Sequence, residues 1–468
     1  MRLYLLLFLF FTSLYVGAQN KQLLYNVDDL PQTLMSNPGA SVSFEKHFGI
    51  PLLSGLSIEA SSSGVSFYDI FREDRDINES IDRAITELDE KDYFGINQQI
   101  EILSFGWKSQ FSEVYFSGGL YQELDAILYY PKDFVSFAYR GNVDFIDVPA
   151  NFSQIAATAE AVSVYHFGVN KKVNDKLQVG ARGKIYMSIF NINSTDNSGS
   201  FITQTTPDGP NFFRHSIRNG NLRANTSGLT FLFDEGEGIE GGDFLKRALI
   251  SSNIGLGIDL GVTYFANDHW TLTGSIVDLG FISHSKDVKN YSASGSVDVD
   301  GIEFEFPAII DGTQPTNLWE ELEDEVLDQL ELEGDLSESY ITTRPVKVNG
   351  SVQYAFGRPR AEVCNCLSNG KGPFINKLGV QVYGIGRPQG IQAAATAFYD
   401  RKWSSFLRSK IAYTVDRRSQ TNIGMLLSTQ IHNFNLYIAG DNLLEYSNIT
   451  KARGASIQLG MQLIFNSK

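Results

Sequence analysis

The sequence predicts an all-β protein, a transmembrane antiparallel β-barrel of about fourteen strands carrying two short helical insertions. Three observations predict it. The chain opens on an export signal. It then repeats long segments in which apolar and polar residues alternate. After residue 18, no apolar run approaches the roughly 18 residues that mark a membrane helix. A length of 468 residues and a mean hydropathy of −0.14 would alone suggest two or three soluble domains. A barrel, however, hides its apolar face in alternation and never shows it as a run.

The first element is the leader. Arg2 precedes the apolar stretch from Leu3 to Val16, and the small residues Gly17 and Ala18 lie just before Gln19. A basic start, a short apolar core and small residues at the cut describe a secretory signal peptide over residues 1–18, with Gln19 as the mature start. Fourteen apolar residues fall short of the roughly 20 needed for a membrane anchor. No cysteine follows the cut, so a lipid anchor is not expected.

The clearest strand runs from Leu177 to Phe190. Leu177, Val179, Ala181, Gly183, Ile185, Met187 and Ile189 share one face. Gln178, Arg182, Lys184 and Tyr186 share the other and are expected to point into the lumen. Ala161–Val173 precedes this strand and Asn174-Asp175 supplies a tight turn, so Tyr165, Phe167 and Val169 should pair across a hairpin. Between Asn253 and Phe265, the residues Ile254, Leu256, Ile258, Leu260 and Val262 lie opposite Asp259, and Asn267-Asp268 turns the chain into Trp270–Val277. The last strand, Ala455–Phe465, sets Ile457, Leu459, Met461, Leu463 and Phe465 against Ser456, Gln458, Gly460 and Gln462. Further strands are expected near Leu56, Ile102, Val114, Phe201, Leu272, Val299, Val352 and Val380, and in a meander through Phe406–Thr414, Asn422–Gln430 and Phe434–Gly440. About fourteen strands of ~11 residues use only ~150 residues in the membrane, so the rest must form loops, turns and a plug.

Two segments have helical spacing. Asp74–Leu88 places Ile77, Ile81, Ala84, Ile85 and Leu88 on one face; Thr316–Leu330 does so with Leu318, Leu322, Val326 and Leu330. Ten Asp or Glu lie between Glu320 and Glu338 with no Lys or Arg among them. The stretch lacks the spaced carboxylates of a calcium loop and reads as a solvated amphipathic helix. Glu320, Glu321, Glu323, Asp324 and Glu325 are its candidate face for a cationic partner. Phe233–Gly242 reads as a flexible surface loop. Cys364 and Cys366 have no histidine nearby to complete a metal site; they read as two loop thiols, bridged to each other under strain or left free.

Lys plus Arg is 38 against 54 Asp plus Glu, a net charge of −16, which argues against nucleic acid as a partner. The six histidines are dispersed, without an H-x-x-x-H pair or a nucleophile motif beside them. His166, on a strand beside Tyr165, is the one candidate base, and a hydrogen-bonded structural histidine is the simpler reading. No catalytic, cofactor-binding or metal site is expected.

Several pieces of the chain resemble a family of outer-membrane barrels from bacteria with type IX secretion. They are Leu30-Pro-Gln with Ser36-Asn-Pro-Gly, Phe48-Gly-Ile-Pro-Leu-Leu-Ser-Gly-Leu-Ser, Leu103-Ser-Phe-Gly-Trp, and Tyr130-Pro-Lys-Asp-Phe before Arg140-Gly-Asn. The hairpin Phe167–Lys184, Ile258-Asp-Leu-Gly, Asp278-Leu-Gly-Phe-Ile and Tyr437-Ile-Ala-Gly-Asp-Asn-Leu-Leu continue the match. That family is similar to the long-chain fatty-acid transporter (FadL-like) barrels and to the secretion barrel PorV. The resemblance implies that residues 19–55 fold into the lumen as a hatch and that 56–468 form the barrel with long loops. Asn37-Pro38-Gly39 matches the first two positions of the transporters' Asn-Pro-Ala hatch motif and departs at the third; taken alone, Asn37-Pro38 is a turn before the first strand. The implied place is the cell outer membrane, with its lipid as a partner. One implied role is binding or passing a hydrophobic small molecule; the other is that of a non-transporting subunit docked with other outer-membrane proteins. A soluble exported β-protein is the third possibility.

Overall fold

In the computed structural model the described residues are 22–206, 212–229, 249–299, 327–357, 374–416 and 421–465. The expected leader at residues 1–18, the stretch Phe233–Gly242 expected as a loop, Cys364, Cys366 and the acidic residues Glu320, Glu321, Glu323, Asp324 and Glu325 lie outside them.

Fourteen antiparallel strands close into a barrel. They are β1 (Lys46–Gly49 continued by Leu56–Ser62), β2 (Tyr93–Lys108), β3 (Val114–Tyr129), β4 (Ala156–Asn174), β5 (Leu177–Ser194), β6 (Ile254–Phe265) and β7 (Trp270–His284). The ring continues through β8 (Lys347–Phe356), β9 (Asn376–Arg387), β10 (Gly390–Lys402), β11 (Leu407–Val415), β12 (Asn422–Ile431), β13 (Phe434–Asp441) and β14 (Gly454–Phe465). Each strand pairs with the next, and β14 pairs with both pieces of β1, so no barrel edge is left open. Wall pairing begins at Lys46, inside the span 19–55 expected for the hatch.

The faces are inverted relative to a soluble protein. On β14, Ile457 is 41% exposed while Gln458 is 1% exposed, because apolar side chains point outward and polar ones fill the interior. Outward aromatic groups gather at the end with the short turns: the ring of Trp107 lies 5.5 Å from that of Phe116, Phe116 6.1 Å from Phe167, and Trp270 5.0 Å from Tyr354. Such rings favour a membrane–water boundary. Among the described helices, none is long and apolar enough to cross a membrane.

Short turns close β2–β3, β4–β5 and β6–β7 at one end, the turn end; long connections follow β1, β3, β5 and β7 at the other, the loop end. The hairpin at Asn174-Asp175 forms with Tyr165, Phe167 and Val169 opposite Ile185, Gly183 and Ala181.

Four expectations are corrected. The strands near Phe201 and Val299 exist but leave the barrel: Ser198–Thr205, Phe213–Ser227, Val288–Val299 and Leu330–Leu336 form a sheet standing off the loop end. It joins the wall at Asn191–Asn193 of β5. The barrel instead uses β10, which the alternation does not reveal. Its sequence GIQAAATAFYDRK carries Ala on both faces, so the contrast between faces is weak. Leu330 begins a strand and not the end of a helix, since Leu330–Leu336 pairs with Val288–Val299. Finally, the outward face of β5 ends before Ile189: a bulge between its pairings Ala161–Phe190 and Val162–Ser188 turns Ile189 inward, 7% exposed.

The helix expected at Asp74–Leu88 spans Ile77–Glu87, capped by the Asp76 carboxylate accepting from the Asn78 and Glu79 amides. A second loop-end helix, Lys132–Arg140, follows β3.

Candidate functional site

Residues 22–45 run through the lumen as a plug of irregular backbone with short helical turns at Gln22–Leu24 and Thr33–Ser36. Two apolar contacts seat it. Leu23, Leu24, Val27 and Leu30 pack on Phe398, Ala412, Leu426, Tyr437 and Ala439 of β10–β13. Leu34, Ala40 and Phe44 pack on Tyr115 and Ile464. Irregular backbone has no ladder of its own, so the polar wall supplies its partners. Arg182 donates to the carbonyls of Leu34 at 2.9 Å and Met35 at 2.8 Å, and Ser275 to that of Ser36 at 2.6 Å. Asn170 donates to the Pro38 and Ala40 carbonyls at 2.6 and 2.8 Å, Thr263 to Gly39 at 2.8 Å and Lys410 to Tyr25 at 2.8 Å. Towards the turn end, Asp28 is paired with Lys377 at 2.9 Å and Arg408 at 2.6 Å.

Asn37-Pro38-Gly39 is both the turn and the docking segment that its sequence leaves open. Asn37 Oδ1 accepts from the Gly39 amide at 2.9 Å, which makes the turn. The same three residues press on the wall where β5 and β6 each carry a glycine. A Cβ on Gly180 would lie 2.0 Å from the Pro38 carbonyl oxygen, and one on Gly261 2.0 Å from Asn37 Oδ1.

The four inward residues of β5 divide into two roles. Gln178 donates to the Ala40 carbonyl at 3.1 Å, and Arg182 reaches the plug as described. Lys184 and Tyr186 face a belt of paired charge: Lys184 contacts Asp259 at 2.9 Å and Asp278 at 2.5 Å, and Tyr186 donates to Asp278 at 3.2 Å. The belt continues through Lys347, which bridges Asp278 at 2.9 Å and Glu123 at 3.0 Å, and Arg344, which holds Glu123 at 2.7 Å and pairs with Glu160. Arg182 closes one end on Asp259 and Arg387 the other on Asp125. Five cations thus meet five carboxylates, and each buried charge has an opposite partner. A bulge in the β6–β7 pairing at Ile258/Leu260 brings Asp278, with φ +63°, beside Asp259, whose carboxylate accepts the Asp278 amide at 2.7 Å.

Sequence reasoning missed Glu123, Asp125, Glu160, Asp278, Arg344, Lys347 and Arg387. The available signal was the i, i+2 spacing of Glu123 and Asp125, which puts two carboxylates on one face of a strand. His166 is a half-buried wall residue whose ring lies 5.7 Å from that of Tyr121.

The wall has one marked irregularity. Gly49 pairs with Gln462 and Leu56 with Leu459, so residues 50–55 stand opposite only Gly460 and Met461. This bulge carries Pro51, which cannot donate a ladder bond, and Leu52 at φ +65°, a strained value for a side-chain-bearing residue. Leu52 and Leu53 project outward, 59% and 46% exposed. On the inside the plug's Gln32 amide donates to the Ser54 carbonyl at 2.8 Å, Gln462 at 2.9 Å and Glu101 at 3.3 Å.

Two cavities flank the belt. A cavity of about 430 Å³ opens at the loop end above Glu160, Arg344, Asp125 and Arg387. A small one of about 40 Å³ lies between the belt and Met35 and Ser36 of the plug.

Residues 38–441 match the sequence family described as Family of unknown function (DUF5723). The chain belongs to that family. The match runs from the plug at Pro38 to the end of β13 at Asp441, so the family's shared sequence includes Pro38 and Gly39 of the docking segment and most of the wall. No curated protein matches the chain. Similar solved structures include the Ralstonia pickettii toluene transporter TbuX, with 10% identity over 97% of each chain and a TM-score of 0.43. A Pseudomonas aeruginosa FadL homologue has 10% identity over 97% of each chain and a TM-score of 0.42. The Pseudomonas putida toluene transporter TodX has 9% identity over 96% of this chain and 95% of its own, with a TM-score of 0.38.

Proposed function

We propose that the protein is an outer-membrane barrel that moves a small hydrophobic molecule sideways through its wall while the barrel axis stays shut. The leader over residues 1–18, the outward apolar face and the closed wall support the outer-membrane assignment, because only a barrel without edges satisfies its backbone in lipid. The observation that carries the transport reading is the bulge at residues 50–55. The axis is blocked by the plug, and the belt of buried ion pairs beside it offers nothing to an apolar molecule. The bulge is where the ladder turns irregular, bonded to β14 through Ile50 and Leu53 and to β2 through Leu52 and Gly55, with leucines outside and one plug side chain, Gln32, bracing it from within. The resemblance to FadL-like barrels implies cargo of the same kind.

A second reading, a non-transporting subunit of a larger outer-membrane or secretion assembly, is favoured by the sheet at the loop end. Its edge strand Leu330–Leu336 presents Leu332, 51% exposed, and pairs on one side only among the described residues. The acidic residues Glu320, Glu321, Glu323, Asp324 and Glu325 precede it in sequence and would suit a cationic partner.

Uptake of labelled fatty acid, alkane and toluene in a deletion strain separates the two. The transport reading expects uptake of at least one to fall and to return on complementation. Unchanged uptake of all three, with a stoichiometric membrane partner on purification, would select the subunit reading.

A further inference from the structure

The cavity at the loop end mixes apolar lining, Ile192, Pro345, Val346 and Pro388, with charged and hydrogen-bonding groups. No aromatic side chain lines it, and its floor is two ion pairs, Arg344 with Glu160 and Arg387 with Asp125. Its sides carry hydroxyl and amide groups, Thr158, Thr343, Asn191 and Asn193, and Asn191 is held in place by the Tyr340 hydroxyl at 2.9 Å. We propose that this cavity binds an uncharged polyhydroxylated group, a saccharide, presented from the loop end of the barrel.

Charge and hydrogen bonding both lead to this class. The floor's charges are neutralised among themselves, so a small anion gains its own contact only by breaking an existing pair, while Asp196 in the lining has no cation paired with it among the described residues and can accept from a sugar hydroxyl. An uncharged ligand leaves the pairs intact. Each sugar hydroxyl both donates and accepts, as do the threonine hydroxyls and asparagine amides around it. A volume of about 430 Å³ is that of a ligand pocket, and a polyol is the solute that best reproduces the hydrogen bonds of the water it displaces. This inference is independent of the transport reading, since it needs neither a moving plug nor a lateral path.

The test is isothermal titration of the full mature chain, held in an amine-oxide detergent that carries no sugar. The ligands are maltose and a short-chain alkyl maltoside below its micellar concentration, with succinate and choline as charged comparisons. Saturable maltose binding is expected, weaker or absent for the charged solutes. Thr158→Phe, which fills the cavity, and Asn193→Leu, which removes an amide, should each weaken it at least tenfold while the heat-modifiable folded band persists. Should one variant fail to fold, the other keeps the comparison. Equal affinity for maltose and the alkyl maltoside assigns the group to a free saccharide, and tighter binding of the alkylated one assigns it to the head of a glycolipid. No binding of either sugar, tighter binding of succinate or choline, or affinities unmoved by both variants would overturn the proposal. Unchanged hydrocarbon uptake alongside saturable maltose binding would remove only the transport reading.

Discussion

Gly39 and Gly261 meet backbone to backbone: a Cβ on Gly39 would lie 2.3 Å from the Gly261 carbonyl oxygen. The third position of Asn37-Pro38-Gly39 is therefore set by the space between plug and wall. Alanine, which stands there in the related hatch motif, does not fit against this wall as it is packed.

Gly39→Ala should lift the plug from β6 and cost about 1–3 kcal/mol, the usual range for forced overpacking. Gly180→Ala acts in the same direction from the wall side. Gly183→Ala is the control, because a Cβ there has no atom within 4 Å. The midpoint of the heat-modifiable gel shift should fall for the first two and hold for the third; equal behaviour of all three would refute close docking.

Arg182 links two systems, the ion pair with Asp259 and the carbonyls of Leu34 and Met35. Arg182→Ala leaves Asp259 short of a cation and two carbonyls short of a donor, a loss of roughly 3–5 kcal/mol by analogy with broken buried pairs. Arg182→Met combined with Asp259→Leu should recover a good part of it, since the uncompensated charge is then gone. Denaturant unfolding in micelles measures both; a double variant no more stable than Arg182→Ala contradicts the pairing.

Gln32→Ala removes the brace behind the bulge at residues 50–55 without touching the belt. Hydrocarbon uptake should rise severalfold while ionic conductance stays at the wild-type level. Conductance rising in step with uptake would mean that the cargo follows the axis.

At the loop end, hydrogen bonds from Ser136 and Arg140 hold the Asp144 carboxyl below its ordinary range. A depressed carboxylate contributes stability that is complete above its unfolded value of about 3.9 and is lost as the pH falls through the lower folded value. Protection of the Lys132–Phe145 region from pepsin should therefore persist at pH 4 and fade in more acid solution. Asp144→Asn should flatten that profile; an unchanged profile would place the acid sensitivity elsewhere.

What the sequence disclosed was the wall, because lipid outside and water inside impose a period of two that survives in single strands such as Leu177–Tyr186. It failed at β10, where alanines make both faces alike, and at Ile189, where a bulge shifts the period by one residue. The two out-of-barrel strands near Phe201 and Val299 alternate as wall strands do, and only their partners show that they leave the ring. The site was less legible. Arg182 and Lys184 are visible as charges on an inward face, but their partners Asp259 and Asp278 come from other strands and meet them only in space. Gly180 and Gly261 give no local signal at all, since a glycine on an inward face is read as a neutral gap until the plug's backbone is found against it.

The central claim is that residues 22–45 shut the barrel. Single-channel conductance in planar bilayers tests it most directly, comparing the wild-type chain with a variant lacking residues 22–45 that still shows the heat-modifiable folded band. The account predicts a silent wild type and steady open channels for the deletion. Open channels in the wild type, or a folded deletion variant that stays silent, would contradict it.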